Sequence, residues 1–291
     1  MLPASHAPSP VPDLEALLAQ RFTQRTLLFN DSCQAVRETG TGPAVVLLHG
    51  IGSGAGSWLE VALQLGQYAR VVAWDAPGYG DSTPLSVEAP GAEDYAERLA
   101  ATLEALGIDD CLLVGHSLGA ITATAFTCLY PQRVRRLVLI SPARGYGDPA
   151  HEIQRQQVRS TRMNTLEQLG IAQMAAQRSA AMLSPRPSVK ALEWVRWNMS
   201  RLNTQGYRQA IELLCGADLL RHTPLTVPCE VHCGEADRIT APEACLALAK
   251  ALGASFSLIP NAGHASPIEQ PRLVAGRLAL ALKESLPGSV Q

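Results

Sequence analysis

No apolar run in this chain approaches the ~20 residues that a membrane-spanning helix needs, so no membrane partner is expected. The N-terminus has no basic stretch followed by an apolar one, which argues against a secretory signal. Neither sign of charge dominates. Lys and Arg number 24 and Asp and Glu 26, a net charge of −2, and that balance gives no footprint for nucleic acid. Cysteines are few and odd in number: seven, at 33, 111, 128, 215, 229, 233 and 245. Most sit in apolar segments, which fits reduced thiols in a cytoplasmic protein better than a disulfide framework. No second ligand cluster with zinc spacing accompanies Cys229-Glu-Val-His-Cys233, whose alternation suits a strand, so no metal is expected. No Gly-Lys-Ser/Thr closes a glycine-rich loop, which excludes a P-loop, and there is no internal repeat.

What is present is core-forming material, 47 % hydrophobic residues against 17 % charged over 291 residues, enough for one large or two modest domains. Short apolar runs recur at Ala44–Leu48, Arg70–Trp74, Cys111–Val114 and Arg136–Ile140, and strands return at Cys229–Cys233 and Ser255–Ile259. Such runs suit strands of a parallel sheet buried on both faces. Shorter strands at Arg25–Asn30 and Gln34–Glu38 flank a turn signal at Asn30-Asp31-Ser32. Helical periods fall at Asp13–Phe22, Ala92–Leu106, Ile121–Leu129, Pro242–Leu252 and Pro271–Lys283, and residues 1–12 read as loose. The spacing therefore predicts an α/β fold with a mostly parallel, doubly wound sheet.

Cys111-Leu-Leu-Val-Gly-His-Ser117-Leu-Gly-Ala120 is the stretch that carries chemistry. Strand, sharp turn and helix are the context that a Gly-x-Ser-x-Gly nucleophile elbow requires. Gly115 and Gly119 are explained if a Cβ at either place would crowd the turn. The plain alternative is a tight βα turn whose serine caps the helix. A second glycine-rich loop, His49-Gly-Ile-Gly-Ser-Gly-Ala-Gly-Ser-Trp58, follows an earlier strand. Its glycine spacing is wrong for a dinucleotide fingerprint. It reads as an oxyanion loop, with the N–H groups of Ile51 and Leu118 facing one developing negative charge. Asp75 and Asp81, in Asp-Ala-Pro-Gly-Tyr-Gly-Asp-Ser82, read as hydrogen-bonded turn architecture rather than a paired carboxylate site.

A serine nucleophile needs a base, and the base an orienting carboxylate. In this architecture the chain order is Ser, acid, His. Of the histidines after Ser117, His232 sits in a strand, and His151 and His222 belong to an inserted region and its exit. His264, in the loop after the last strand, is the expected base. Asp237, after the preceding strand, is the expected acid, with Glu235 and Asp148 as rivals.

From His49-Gly50, Asp75-x-Pro-Gly-x-Gly-x-Ser82, Gly115-x-Ser-x-Gly119, Gly234-x-x-Asp237 and Gly263-His264, the chain resembles the α/β-hydrolase fold superfamily over roughly residues 25–285. The resemblance implies a serine hydrolase acting on a small-molecule substrate without a cofactor. It divides the chain into an extension (1–24), core (25–143), helical cap or lid (144–222) and core (223–291). Ser117 at the elbow argues against the branches that place aspartate there. His264-Ala-Ser-Pro-Ile-Glu-Gln-Pro271 looks like the 3-oxoadipate enol-lactonase and carboxylesterase ending. It lacks the tryptophan that usually follows the histidine of meta-cleavage-product hydrolases, which cut carbon–carbon bonds. The expected reaction is therefore hydrolysis of a small ester or lactone. Carbon–carbon hydrolysis and silent ligand binding on the same fold are the alternatives. Between Arg144 and Arg221 eleven Lys/Arg face six Asp/Glu, a net of +5. Either these are solvated helix faces, or a basic lid favours carboxylate-bearing substrates. Trp194, Arg196, Trp197 and Arg201 are the lid residues expected to form an aromatic wall and carboxylate clamp, although Trp194 and Trp197 also suit simple packing.

Overall fold

The computed structural model describes residues 11–286. The apolar runs become the middle of one eight-stranded sheet. Its strands are β1 (Thr23–Phe29), β2 (Ser32–Thr39), β3 (Ala44–Leu48), β4 (Arg70–Trp74), β5 (Cys111–His116), β6 (Val134–Ile140), β7 (Cys229–Gly234) and β8 (Ser255–Ile259), in the spatial order β1-β2-β4-β3-β5-β6-β7-β8. β1 pairs antiparallel with β2, and β2 with β4; every later pairing is parallel. The helices outside the insert are α1 (Val11–Arg21), α2 (Leu59–Leu65), α3 (Ala92–Ala105) and α4 (Leu118–Leu129). Between β6 and β7 lie α5 (Glu152–Arg178), α6 (Val189–Ser200) and α7 (Thr204–Gly216), and after them come α8 (Pro242–Leu252), α9 (Ser266–Glu269) and α10 (Pro271–Ser285).

The period of two splits each central strand between two apolar layers. Val45 and Leu47 of β3, with Leu112 and Val114 of β5, join Leu59 of α2 and Leu278 of α10. Val46 and Leu48, with Cys111 and Leu113, join Leu99 of α3, Ile121 of α4 and Leu248 of α8. Burial on both faces is why these strands are uninterrupted in apolar residues. The chain leaves β3 for β4 on one side and returns to β5 on the other. That reversal opens a crevice at the carboxyl ends of β3 and β5, where open α/β sheets bind ligands.

Three details depart from the sequence reading. The first helix starts at Val11, so Asp13 lies in its first turn rather than at the cap. Val11 and Pro12 belong to that helix; the rest of the segment expected to be loose lies outside the described residues. Helices α2 and α9 carry no clear periodic signal, being only seven and four residues long.

The insert between β6 and β7 is helical. Gly170, at φ 66°, bends α5, and Pro185-Arg-Pro187 falls between helices. α7 seats on the loop after β4 by a close backbone contact. A Cβ on Gly206 would lie 1.9 Å from the Gly78 carbonyl oxygen, and Gly78 itself has φ 79°. The Gln209 side chain completes the seat, accepting from the Leu85 N–H and donating to the Leu85 and Val87 carbonyls. Backbone cannot swing aside as a side chain can. Gly206→Ala should therefore lower Tm by about 3–10 °C, the range that overpacking produces in a domain of this size. Gly216→Ala, with nothing within 4 Å of its new Cβ, is the control. Equal melting curves for the two variants by circular dichroism would remove this role for the contact.

Candidate active site

Ser117 sits at the carboxyl end of β5 with φ 54° and ψ −115°, a conformation that a non-glycine residue adopts only at a cost. The turn is held from both sides. The Ser117 N–H donates to Ile140 O at 3.0 Å, and Ser117 O accepts from Ala143 N–H at 3.1 Å. The flanking glycines are sterically required. A Cβ on Gly115 would lie 2.6 Å from Gly119 O, and one on Gly119 would lie 2.6 Å from Leu48 O. No side-chain cap bond is made by Ser117. Its hydroxyl is thus not spent on capping α4 and points to another partner.

That partner is His264. Its Nε2 lies 2.9 Å from Ser117 Oγ, and its Nδ1 lies 2.9 Å from Asp237 Oδ2. An ionised Asp237 can only accept, so Nδ1 carries the proton and Nε2 is free to accept from the Ser117 hydroxyl. Asp237 is only 3 % exposed. Its Oδ1 accepts from the Ile239 and Thr240 N–H groups at 2.8 and 3.0 Å, and the Thr240 hydroxyl lies 3.0 Å from Oδ2. Burial pushes the Asp237 carboxyl up, but the hydrogen bond and charge of His264 and the Ile239 N–H outweigh it, lowering it to about 2.

The His264 loop is fastened to the segment between α5 and α6 of the insert. Glu269 accepts from Gly263 N–H at 2.7 Å and from the Ser184 N–H and hydroxyl, while Ala265 N–H donates to Met182 O. His116, the residue before Ser117, approaches the His264 carbonyl through Nε2 at 2.8 Å, a contact in which only the nitrogen can donate. Burial, then the neighbouring His264, lower the His116 imidazole to about 3, so it stays neutral in this role.

Ile51 and Leu118 both line the cavity beside Ser117. Leu118 opens α4, so no carbonyl one turn back takes its N–H. The Ile51 N–H has no acceptor among the described residues. The loop that carries Ile51 is braced by two side chains. The His49 Nδ1–H donates to Gly50 O and its Nε2 accepts from Ala76 N–H, both at 2.9 Å, and burial lowers this imidazole so that it is neutral. The Tyr79 hydroxyl donates to Ile51 O at 2.8 Å.

The rivals are occupied elsewhere. Glu235 accepts from Asn261 N–H, Asp148 pairs with Arg144, His222 faces Glu93, and His232 lies against Ser257 and Glu230. Asp75 accepts from Ala55 N–H and its carbonyl takes the Ser82 hydroxyl, which is turn architecture. No group of three His, Cys, Asp or Glu suited to a metal occurs among the described residues, and no described helix is long and apolar enough to cross a membrane.

A cavity rises from Ser117 and His264 beneath the insert. The four expected lid residues do not line it, which corrects the expected wall and clamp. Trp194 is buried, donates to Gly56 O at 3.1 Å and stacks on Trp197 at 4.4 Å; Trp197 donates to Glu15. Together they pack α6 against the glycine-rich loop and α1. Arg201 lies over the Trp197 ring in a separate cleft, and Arg196 is exposed. The arginines that line the cavity are Arg162 and Arg178.

Residues 45–277 match the model of the Alpha/beta hydrolase family. The chain belongs to that family. As an alpha/beta hydrolase it is 40 % identical over 113 residues to a 2-hydroxy-6-oxononadienedioate/2-hydroxy-6-oxononatrienedioate hydrolase of Burkholderia vietnamiensis, covering 37 % of this chain and 39 % of that protein. It is 35 % identical over 109 residues to a 2-hydroxy-6-oxo-6-phenylhexa-2,4-dienoate hydrolase of Comamonas testosteroni, covering 36 % of this chain and 38 % of that one. In these matches it spans less than two fifths of either relative. The enol-lactonase of Burkholderia xenovorans LB400 shares the fold, with a TM-score of 0.78 at 22 % identity over 89 % of this chain and all of that one. So does a thermophilic esterase of Thermogutta terrifontis, with a TM-score of 0.79 at 24 % identity over 90 % and 98 %.

The sequence reading of this alpha/beta hydrolase overlooked the bracing residues. Requiring the base to follow Ser117 set aside His49 and His116 altogether. Both stand inside motifs already singled out, His49-Gly50 and Gly115-His-Ser-Leu-Gly119, and that position was the available signal. Tyr79 gave none, because its hydroxyl acquires its partner only when distant loops meet.

Proposed function

We propose that this protein is a serine hydrolase of small esters or lactones, working through Ser117, His264 and Asp237. The observation that carries the reading is the chain of two 2.9 Å contacts from a strained elbow serine through His264 to a buried carboxylate. His264 Nε2 takes the Ser117 proton as Oγ attacks a carbonyl carbon. Asp237 holds the imidazole tautomer and stabilises the imidazolium. The Ile51 and Leu118 N–H groups receive the oxyanion, each contributing on the order of 3 kcal/mol. His264 then protonates the leaving group, and water repeats the sequence on the acyl-enzyme. Residues 144–222 act as a lid over this site, and their helices cover the cavity that Ser117 opens into.

Carbon–carbon hydrolysis is the second reading, favoured by the two sequence relatives named for such substrates. The absence of tryptophan from His264 to Pro271 weighs against it.

Intact mass after treatment with a fluorophosphonate tests the nucleophile. One adduct is expected on the wild type and none on Ser117→Ala. A folded wild type that stays unlabelled would overturn the reading. Parallel turnover assays with lactones, simple esters and a vinylogous diketone separate the two reactions.

A further inference from the structure

We infer that Arg162 and Arg178 form a carboxylate-binding subsite in the cavity over Ser117, so that the substrate carries an acid group away from the bond that is cut. The inference rests on the hydrolase reading and specifies its substrate class.

Both residues belong to α5, sixteen positions apart. In a straight helix they would stand ~24 Å apart. They line one cavity because α5 turns at Gly170, whose φ of 66° suits glycine. The bend therefore brings two like charges to one half-enclosed space. Burial, and next the charge of Arg162, lower the Arg178 guanidinium from its ordinary value, while Tyr207 acts the other way. Neither arginine has a carboxylate partner among the described residues. Other arginines of the insert do: Arg144 pairs with Asp148 and Asp218, Arg155 with Glu152, Arg159 with Glu212 and Arg208 with Glu167. Arg162 instead donates to the Tyr207 hydroxyl at 3.2 Å. The Tyr207 O–H then has no acceptor among the described residues and is free for a ligand oxygen.

Two partly desolvated cations without a counter-ion are costly, and a bound carboxylate would offset that cost through charge-assisted bonds. A guanidinium fork fits the two oxygens of a carboxylate. The remaining wall is apolar, with Met174, Met182, Met199 and Leu214. That lining suits a short hydrocarbon stretch between the acid group and the scissile carbonyl. The insert's surplus of positive charge thus has a use in these two residues, and Arg196 and Arg201 take no part.

Binding and turnover are measured separately. Calorimetry with glutarate on Ser117→Ala reads the subsite without catalysis. Affinity should fall at least tenfold in Arg162→Gln and in Arg178→Gln made in that background, and partly recover in Arg178→Lys. With an intact Ser117, two acidic esters, para-nitrophenyl hydrogen glutarate and para-carboxyphenyl butyrate, are compared with the neutral para-nitrophenyl butyrate by their kcat/KM values. At least one acid-to-neutral ratio should drop tenfold or more in the Gln variants, chiefly through a raised KM. Glutarate binding that ignores both arginines, or ratios that stay constant, would overturn the subsite. Glutarate bound through the arginines by a protein that neither reacts with fluorophosphonate nor turns over any ester would overturn the hydrolase reading and leave the subsite standing.

Discussion

Ser117→Ala is expected to lower kcat at least about 10⁴-fold, the scale seen when a triad nucleophile is removed. The fold should survive, because no packing depends on the hydroxyl. Ser117 makes no cap bond through it, and the partner of Oγ is His264. The strained φ of 54° is held by backbone bonds to Ile140 and Ala143, which alanine keeps. Tm should stay within about 2 °C of the wild type, or rise, since a buried polar group is lost from a strained site. Ester turnover on purified protein, with melting curves on the same samples, checks both halves. Residual activity within tenfold of wild type would mean that Ser117 does not attack the carbonyl.

Asp237→Asn should be nearly as severe, about 10⁴-fold in kcat, for a different reason. The asparagine oxygen can still accept from the Ile239 and Thr240 N–H groups, so its amide must face His264 Nδ1. An amide N–H donates. It would drive the imidazole to the tautomer with its proton on Nε2, facing Ser117, where no base remains.

The same variant carries a stability signature. In the folded protein Asp237 titrates at about 2, below its ordinary 3.8. A depressed carboxylate stabilises the fold above its unfolded value and loses that contribution as pH falls through the folded one. The wild type should therefore hold about 2 kcal/mol from this group at pH 5 and above, and lose it between about pH 4 and pH 2. Urea unfolding of wild type and Asp237→Asn across that range should converge as pH falls. A constant difference would mean that Asp237 is not held ionised by His264.

Much of this was written along the chain. The apolar runs from Ala44 to Ile140 declared a sheet buried on both faces, since a strand with a wet face would alternate. Gly115-x-Ser-x-Gly119 after such a run declared an elbow, because a Cβ at either glycine would lie 2.6 Å from a backbone oxygen. The order Ser117, Asp237, His264 singled out three residues that the structure brings to hydrogen-bonding distance. These are local patterns, and the physics behind them acts within a few residues. The interior of the insert was not legible. Helical period tells which residues share a face, but α6 offered its tryptophans to the body and α5 turned two arginines into the cavity. That choice depends on a single bend at Gly170 and on the close seat of Gly206 against Gly78. His49, His116 and Tyr79 escaped for the same reason: each acts on backbone that reaches it only once separate loops converge. Sequence by itself determined the sheet, the elbow and the chain order of Ser117, Asp237 and His264. Tertiary packing alone decided which charged residues line the cavity, because the direction of a side chain is set by the surface its helix is pressed against.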